Sequence, residues 1–347
     1  MNKITSLDGL RGLAALLVLI DHAFLAALDL SGNDQGIVFY ILSFIGSFAI
    51  GVFFILSGFV IFASIGKDTT ASFLAKRAFR LYPVIVVSTI ITYIIQIKYG
   101  KFVFDAESLK NLILNMSLFG GALIYNESLV LQIVWTLSIE VQFYIIAAMI
   151  LSVTRGNVDK YIYYIIAFLM VAFIAISIHV LKMQDSPFKV YIGVGSSILP
   201  FMFVGTSICM LKKKAINKMQ FTGLILLIIL AISYAPYPIY FSLDKGLPSF
   251  ILAVIVFCLC LDYKQMSNIM SKKPMLFLGR ISYPLYAIHM SVLIFAYYSR
   301  DVIGGSGVFI EIVILSLIMA YIIHVTVESP IHAWSKRKVK NKYLLKS

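Results

Sequence analysis

Arg11 and His22 lie eleven residues apart in a run reading Leu7-Asp-Gly-Leu-Arg-Gly-Leu-Ala-Ala-Leu-Leu-Val-Leu-Ile-Asp-His. If that run is helical, eleven steps of about 100° bring the two side chains within about 20° of one direction, about 16 Å apart along the axis. A guanidinium can hold phosphate, and a neutral imidazole can take a proton from a hydroxyl. Glu140 and His289 stand inside other apolar runs, Arg77, Arg80, His324 and Glu328 stand at their margins, and Asp21 adjoins His22. An ionisable group at bilayer depth costs about 2.5–3.5 kcal/mol or more, so it turns toward a bundle interior or wet cavity and marks a site or pathway. Two chemistries fit this set. In one, a histidine deprotonates a hydroxyl for attack on an acyl carbonyl while arginines clamp the phosphates of a cytoplasmic donor. In the other, histidines and carboxylates relay protons in a transporter. The residue types leave both open.

The elements that must carry these residues are membrane helices. The chain has 347 residues, 61% hydrophobic and 13% charged, with a mean hydropathy of +0.95. That excludes an ordinary soluble domain and implies an all-α polytopic membrane protein. Run length and breakers predict about ten spans, at roughly 9–29, 37–63, 81–97, 133–152, 160–181, 191–211, 219–235, 247–262, 276–298 and 307–327. An even number puts both termini on one side, and 22 of the 29 Lys and Arg residues then fall on that side. The positive-inside rule makes it the cytoplasm. The net charge of +13 therefore signals topology and attraction to anionic lipid rather than a nucleic-acid partner. The first apolar run, bounded by acids and lacking a small-residue cleavage site, is not expected to be a removed signal. Cys209, Cys258 and Cys260 lie in apolar runs and read as free thiols, with no metal site implied.

Residues 1–335 are expected to form one membrane-embedded domain, and 336–347 a basic cytoplasmic tail. Pro83 suits the first turn of span three, and Pro330 is expected to stop span ten. The amphipathic stretch from Leu109 to Phe119 is too short to span and reads as interfacial or re-entrant. His324 and Glu328 form an i, i+4 pair near the inner face. Spans five to eight read as scaffold.

Six short motifs then occur in order. They are Arg11 and His22 with ten residues between, Phe53-Phe-x-x-Ser57-Gly-Phe, Arg77-x-x-Arg80-x-Tyr82-Pro, Trp135-x-Leu-Ser138-x-Glu140-x-x-Phe-Tyr, Ser282-Tyr-x-x-Tyr286-x-x-His289, and Glu328-x-Pro. Together they resemble the acyltransferase 3 family, the multi-span enzymes that O-acylate bacterial surface polysaccharides. The resemblance runs from residue 6 to 332 and implies the form without an extra outer domain. It implies transfer of an acetyl or other short acyl group from acetyl-CoA, as co-substrate, to a glycan or undecaprenyl-linked sugar in the bacterial inner membrane. Under it, His22 is the catalytic base or transient acyl acceptor, Arg11 holds the donor or stabilises charge, and Glu140 orients His22 or an arginine. Arg77, Arg80 and Tyr82 would bind the donor, and Trp135, Ser138, Tyr286 and His289 the acceptor. Asp21 departs from the apolar or aromatic residue expected before the motif histidine. No metal is required, and a homo-oligomer is compatible with the sequence. The competing expectations are a transporter of a glycan or small acid and a non-catalytic partner that presents a glycan to another enzyme.

Overall fold

The computed structural model describes residues 4–31, 36–101, 103–118, 133–184, 186–235, 246–303 and 305–344. Among them there are helices and turns and no strand. In chain order the helices are α1 (Thr5–Ser31), α2 (Gly36–Ser64), α3 (Thr70–Lys98), α4 (Ala106–Met116), α5 (Val134–Val153), α6 (Val158–Lys182) and α7 (Pro187–Lys212). They continue as α8 (Lys218–Ser233), α9 (Gly246–Asp262), α10 (Lys264–Met270), α11 (Lys273–Ile303), α12 (Gly305–Ile323) and α13 (Ser329–Leu344).

The all-α membrane architecture expected from composition is what the chain adopts. Among the described residues eight helices are long and apolar enough to cross a bilayer, and α9 with α10, bent by 96°, would make a ninth. The run at 219–235 forms only the 16-residue α8. At 1.5 Å per residue that is about 24 Å, short of the roughly 30 Å hydrocarbon core.

Glycine sets the closest helix approaches. α1 packs most extensively against α11. A Cβ on Gly12 would overlap the backbone of Leu278 and Gly279, and one on Gly279 would overlap that of Asp8. Lipid offers helices no hydrophobic drive to associate, so packing at small residues must supply it. The two helices run parallel and in register: Gly12 meets Gly279, and ten residues further on in each helix His22 meets His289. α2 and α7 use the same device, since Gly58 abuts Met202 and Gly205 abuts Ile55. There Thr206 also donates its hydroxyl hydrogen to the Gly58 carbonyl at 3.3 Å.

Two helix limits differ from expectation. α3 begins at Thr70, capped by Thr69, whose Oγ1 accepts from the Ser72 amide at 3.3 Å. Pro83 is therefore inside the helix, not in its first turn. A membrane helix tolerates this because neighbouring groups re-satisfy the backbone. Pro330 does not end the chain's helical course either. The backbone widens into a π-turn over His324–Glu328, where the Ser329 amide donates to the His324 carbonyl, and α13 then follows. Proline lacks the amide that the Thr326 carbonyl would receive in an α-helix, and the wider turn absorbs the loss. The basic tail thus belongs to a helix as far as Leu344.

α4 runs antiparallel along α3. The Tyr93 hydroxyl meets Ser108 near its start at 2.7 Å, and the Tyr82 hydroxyl donates to the Ser117 carbonyl just beyond its end at 3.3 Å. Between those contacts α3 descends eleven residues, about 16 Å at the helical rise. The start of α4 is fixed by a capping box: the Ser108 amide donates to Asp105 at 2.8 Å, holding that carboxylate below its usual range.

Candidate functional site

Four helix ends converge on one side of the bundle: the start of α1, the end of α2, the start of α11 and the end of α12 with its π-turn. Together with Phe79 and Arg80 of α3 they line a cavity of about 990 Å³. Four cations, Arg11, Arg80, Lys273 and Arg280, line it against two carboxylates, Asp8 and Glu328. Asp8 sits 3.8 Å from Arg11. The expected His324–Glu328 pair is present, with Nδ1–H donating to Oε2 at 2.6 Å, on the π-turn that forms one wall. π-turns concentrate at functional positions. An excess of fixed cations in a concave, apolar-walled space attracts a polyanion.

Arg11, Arg80, Ser282 and Tyr283 also line a second, narrow cavity of about 60 Å³. These four residues border both spaces. The narrow cavity continues to Ser57, Thr136, Glu140 and Tyr286. The Tyr283 hydroxyl donates to the Leu81 carbonyl at 2.7 Å and so ties α11 to α3. Glu140 accepts from the Tyr144 hydroxyl, and from Ser57 at a long 3.5 Å. Glu140 shares the narrow cavity with Arg11 and Arg80; among the described contacts none joins it to His22.

Beyond Tyr286 lies a pair of imidazoles. His22 and His289 have ring centroids 5.2 Å apart, tilted at 54°. The His22 Nδ1 is 2.9 Å from the Val18 carbonyl. A carbonyl only accepts, so Nδ1 carries the hydrogen and Nε2 of the neutral ring keeps the lone pair. The His22 side chain is 37% exposed, whereas that of Asp21 is only 9% exposed. Asp21 Oδ2 stands 3.9 Å from the His22 Nδ1 and lies over Gly46 of α2, where a Cβ would come within 2.6 Å of it. The carboxylate occupies the space that this glycine leaves.

The family described as an acyltransferase domain matches residues 4–327. The chain belongs to this acyltransferase family. Over 94 residues it is 37% identical to an O-acetyl transferase of Shigella phage Sf6, a stretch covering 27% of each protein. It is 25% identical over 388 aligned positions to a putative peptidoglycan O-acetyltransferase of Bacillus subtilis (strain 168), covering 99% of this chain and 57% of that protein. The chain thus spans less than two thirds of either relative's length. No solved structure matches.

In this acyltransferase-family chain the expected site residues divide into two groups. Arg11, Arg80, Glu140 and Tyr286 gather along the two cavities, and His22 and His289 meet just beyond. Arg77, Tyr82, Trp135 and Ser138 line neither cavity. Three helical steps leave Arg77 about 60° from Arg80, enough to send its guanidinium over the rings of Phe73 and Tyr144, 5.3 and 5.5 Å from their centroids. Tyr82 is engaged with α4, and Ser138 is buried. Sequence reasoning passed over Lys273 and Arg280 as topological charges and did not consider Asp8 or Tyr283. It also missed Glu311 in α12, whose Oε2 is buried without a hydrogen-bond partner among the described residues. An acid inside an apolar run was the available signal. Among the described residues no group of His, Cys, Asp or Glu could hold a metal ion.

Proposed function

We propose that this protein is a membrane O-acyltransferase that moves an acetyl or other short acyl group from cytoplasmic acyl-CoA to a sugar hydroxyl of a surface polysaccharide or its lipid-linked precursor. The observation that carries this reading is that Arg11 and Arg80 border both the cationic cavity and the narrow cavity, and that the narrow cavity reaches Tyr286, whose ring lies against His289. The nucleotide end of the donor is polyanionic and fits the wide cavity. Its thin pantetheine arm enters the narrow one, which must widen from about 60 Å³ to admit it. The thioester then arrives near His22. The His22 Nε2 accepts the acceptor's hydroxyl proton as the oxygen attacks the thioester carbon. When the tetrahedral intermediate collapses, the carbon–sulfur bond breaks and the thiolate takes that proton. A thioester is already activated, so positioning and electrostatics supply the catalysis. Asp8 and Glu328 limit the positive charge and keep Arg11 and Arg80 oriented. The acceptor approaches from the exposed side of His22.

The test uses purified protein in lipid with acetyl-CoA and a lipid-linked glycan. The reading expects free CoA and an acetyl ester on one sugar hydroxyl in equal amounts. Glycan or acid crossing the bilayer with no CoA released would replace it with the transporter. Acetylation in cells that survives His22→Ala would replace it with a non-catalytic partner.

A further inference from the structure

His289 is the most constrained ionisable side chain near His22. It is 1% exposed. Its Nδ1 lies 2.8 Å from the Tyr286 carbonyl and 3.3 Å from that of Leu285. Both are acceptors, so Nδ1 carries the hydrogen, and Nε2 of the neutral ring holds a lone pair. That Nε2 is buried with no hydrogen-bond partner among the described residues. A buried unsatisfied acceptor is costly and calls for an explanation. Two rings lie against His289, Tyr286 at 5.7 Å and His22 at 5.2 Å between centroids, and of the two only His22 can carry an added proton.

We propose that His289 is a positioning residue for His22, not an acceptor ligand: its Nε2 lone pair receives the charge that forms on His22 during transfer. The inference rests on His22 being the base. Both imidazoles have Nδ1 committed to a carbonyl of their own helix, on Val18 and Tyr286. Neither ring can flip without losing that bond. When the attacking hydroxyl gives its proton to His22, the resulting imidazolium has a fixed acceptor beside it. The proton stays on the pair until the departing thiolate takes it, so protons and electrons balance with no further reactant. Among the neighbouring elements, α1 also contributes Asp21, set over Gly46 of α2, and α12 carries Glu311; α2 has no charged residue. His289 is held in place from α5, through the Thr136–Tyr286 hydroxyl pair at 2.6 Å.

The experiment compares His289→Phe, which keeps a ring but has no acceptor, with His289→Gln, whose amide oxygen restores one. Both are assayed as the full chain in lipid beside wild type and His22→Ala. The proposal expects Phe to lower kcat about 10- to 100-fold, KM for acetyl-CoA and acceptor to stay within about twofold, and Gln to recover most of kcat. An unchanged kcat, or a raised acceptor KM at constant kcat, would overturn it and return His289 to substrate binding. A fall in kcat that Gln does not restore would also overturn it. If Phe fails to assemble, Leu replaces it as the acceptor-free variant. An active His22→Ala would instead sink the underlying assignment of the base, so the two failures are told apart.

Discussion

At the scale of single residues, the site separates charge that binds from charge that reacts. Removing a general base typically costs 10²–10⁴-fold in rate. His22→Ala is therefore expected to lower kcat by about that factor with KM for acetyl-CoA unchanged, measured by release of free thiol. The two motif arginines give a sharper contrast. Arg80 lines both cavities, while Arg77 lies over Phe73 and Tyr144. A hydrogen bond to a charged group contributes about 1.5–3 kcal/mol, so Arg80→Ala is expected to raise KM for acetyl-CoA by roughly 10- to 100-fold. Arg77→Ala is expected to leave that KM near wild type and to lower the unfolding temperature, because it removes a buried cation–π stack. Equal effects on KM would put both guanidinia on the donor. Sequence motifs brought both arginines forward, because spacing reports that two residues are near one another on a helix. It does not report which neighbour each one meets, and the 60° between them decides that.

At the scale of elements, the α1–α11 contact sets the distance between the imidazoles. Gly12 and Gly279 let the two backbones touch, and the histidine pair lies ten residues along the same parallel contact. Gly279→Val would force the helices apart at Asp8 and carry that error toward His289. Overpacking of this kind costs about 1–3 kcal/mol. The expected outcome is a loss of kcat in the folded fraction that exceeds the loss of folded protein seen by size-exclusion chromatography. The helices themselves were plain in the sequence, because long apolar runs have few alternatives in a bilayer. Their limits were less plain. Thr69 caps α3, which begins eleven residues before the expected start of span three, since the basic stretch around Lys76 hides its helical course from a hydropathy reading. The π-turn before Pro330 was also invisible, because local pattern does not report which carbonyls a neighbouring helix can satisfy.

At the scale of the whole molecule, the cavity has a side. The start of α1, the start of α11 and the end of α12 all open on it, so the N-terminal helix begins where the chain's last helix departs. Lys273 and Arg280 line the cavity there, and the positive-inside rule leads to the expectation that such basic ends face the cytoplasm. The histidine pair lies deeper, about 16 Å along α1 from Arg11 at the helical rise. Under the proposed function, a donor entering from that side reaches His22 without crossing the bilayer. This predicts a strict sidedness. Inverted membrane vesicles given radiolabelled acetyl-CoA are expected to acetylate their glycan acceptor at once, while right-side-out vesicles stay unlabelled until made permeable. Arg80→Ala should abolish labelling in inverted vesicles at donor concentrations near the wild-type KM, and excess donor should restore it. Labelling of intact right-side-out vesicles would mean that the cationic cavity opens outward, and the order of binding, passage and transfer along α1 would have to be reversed.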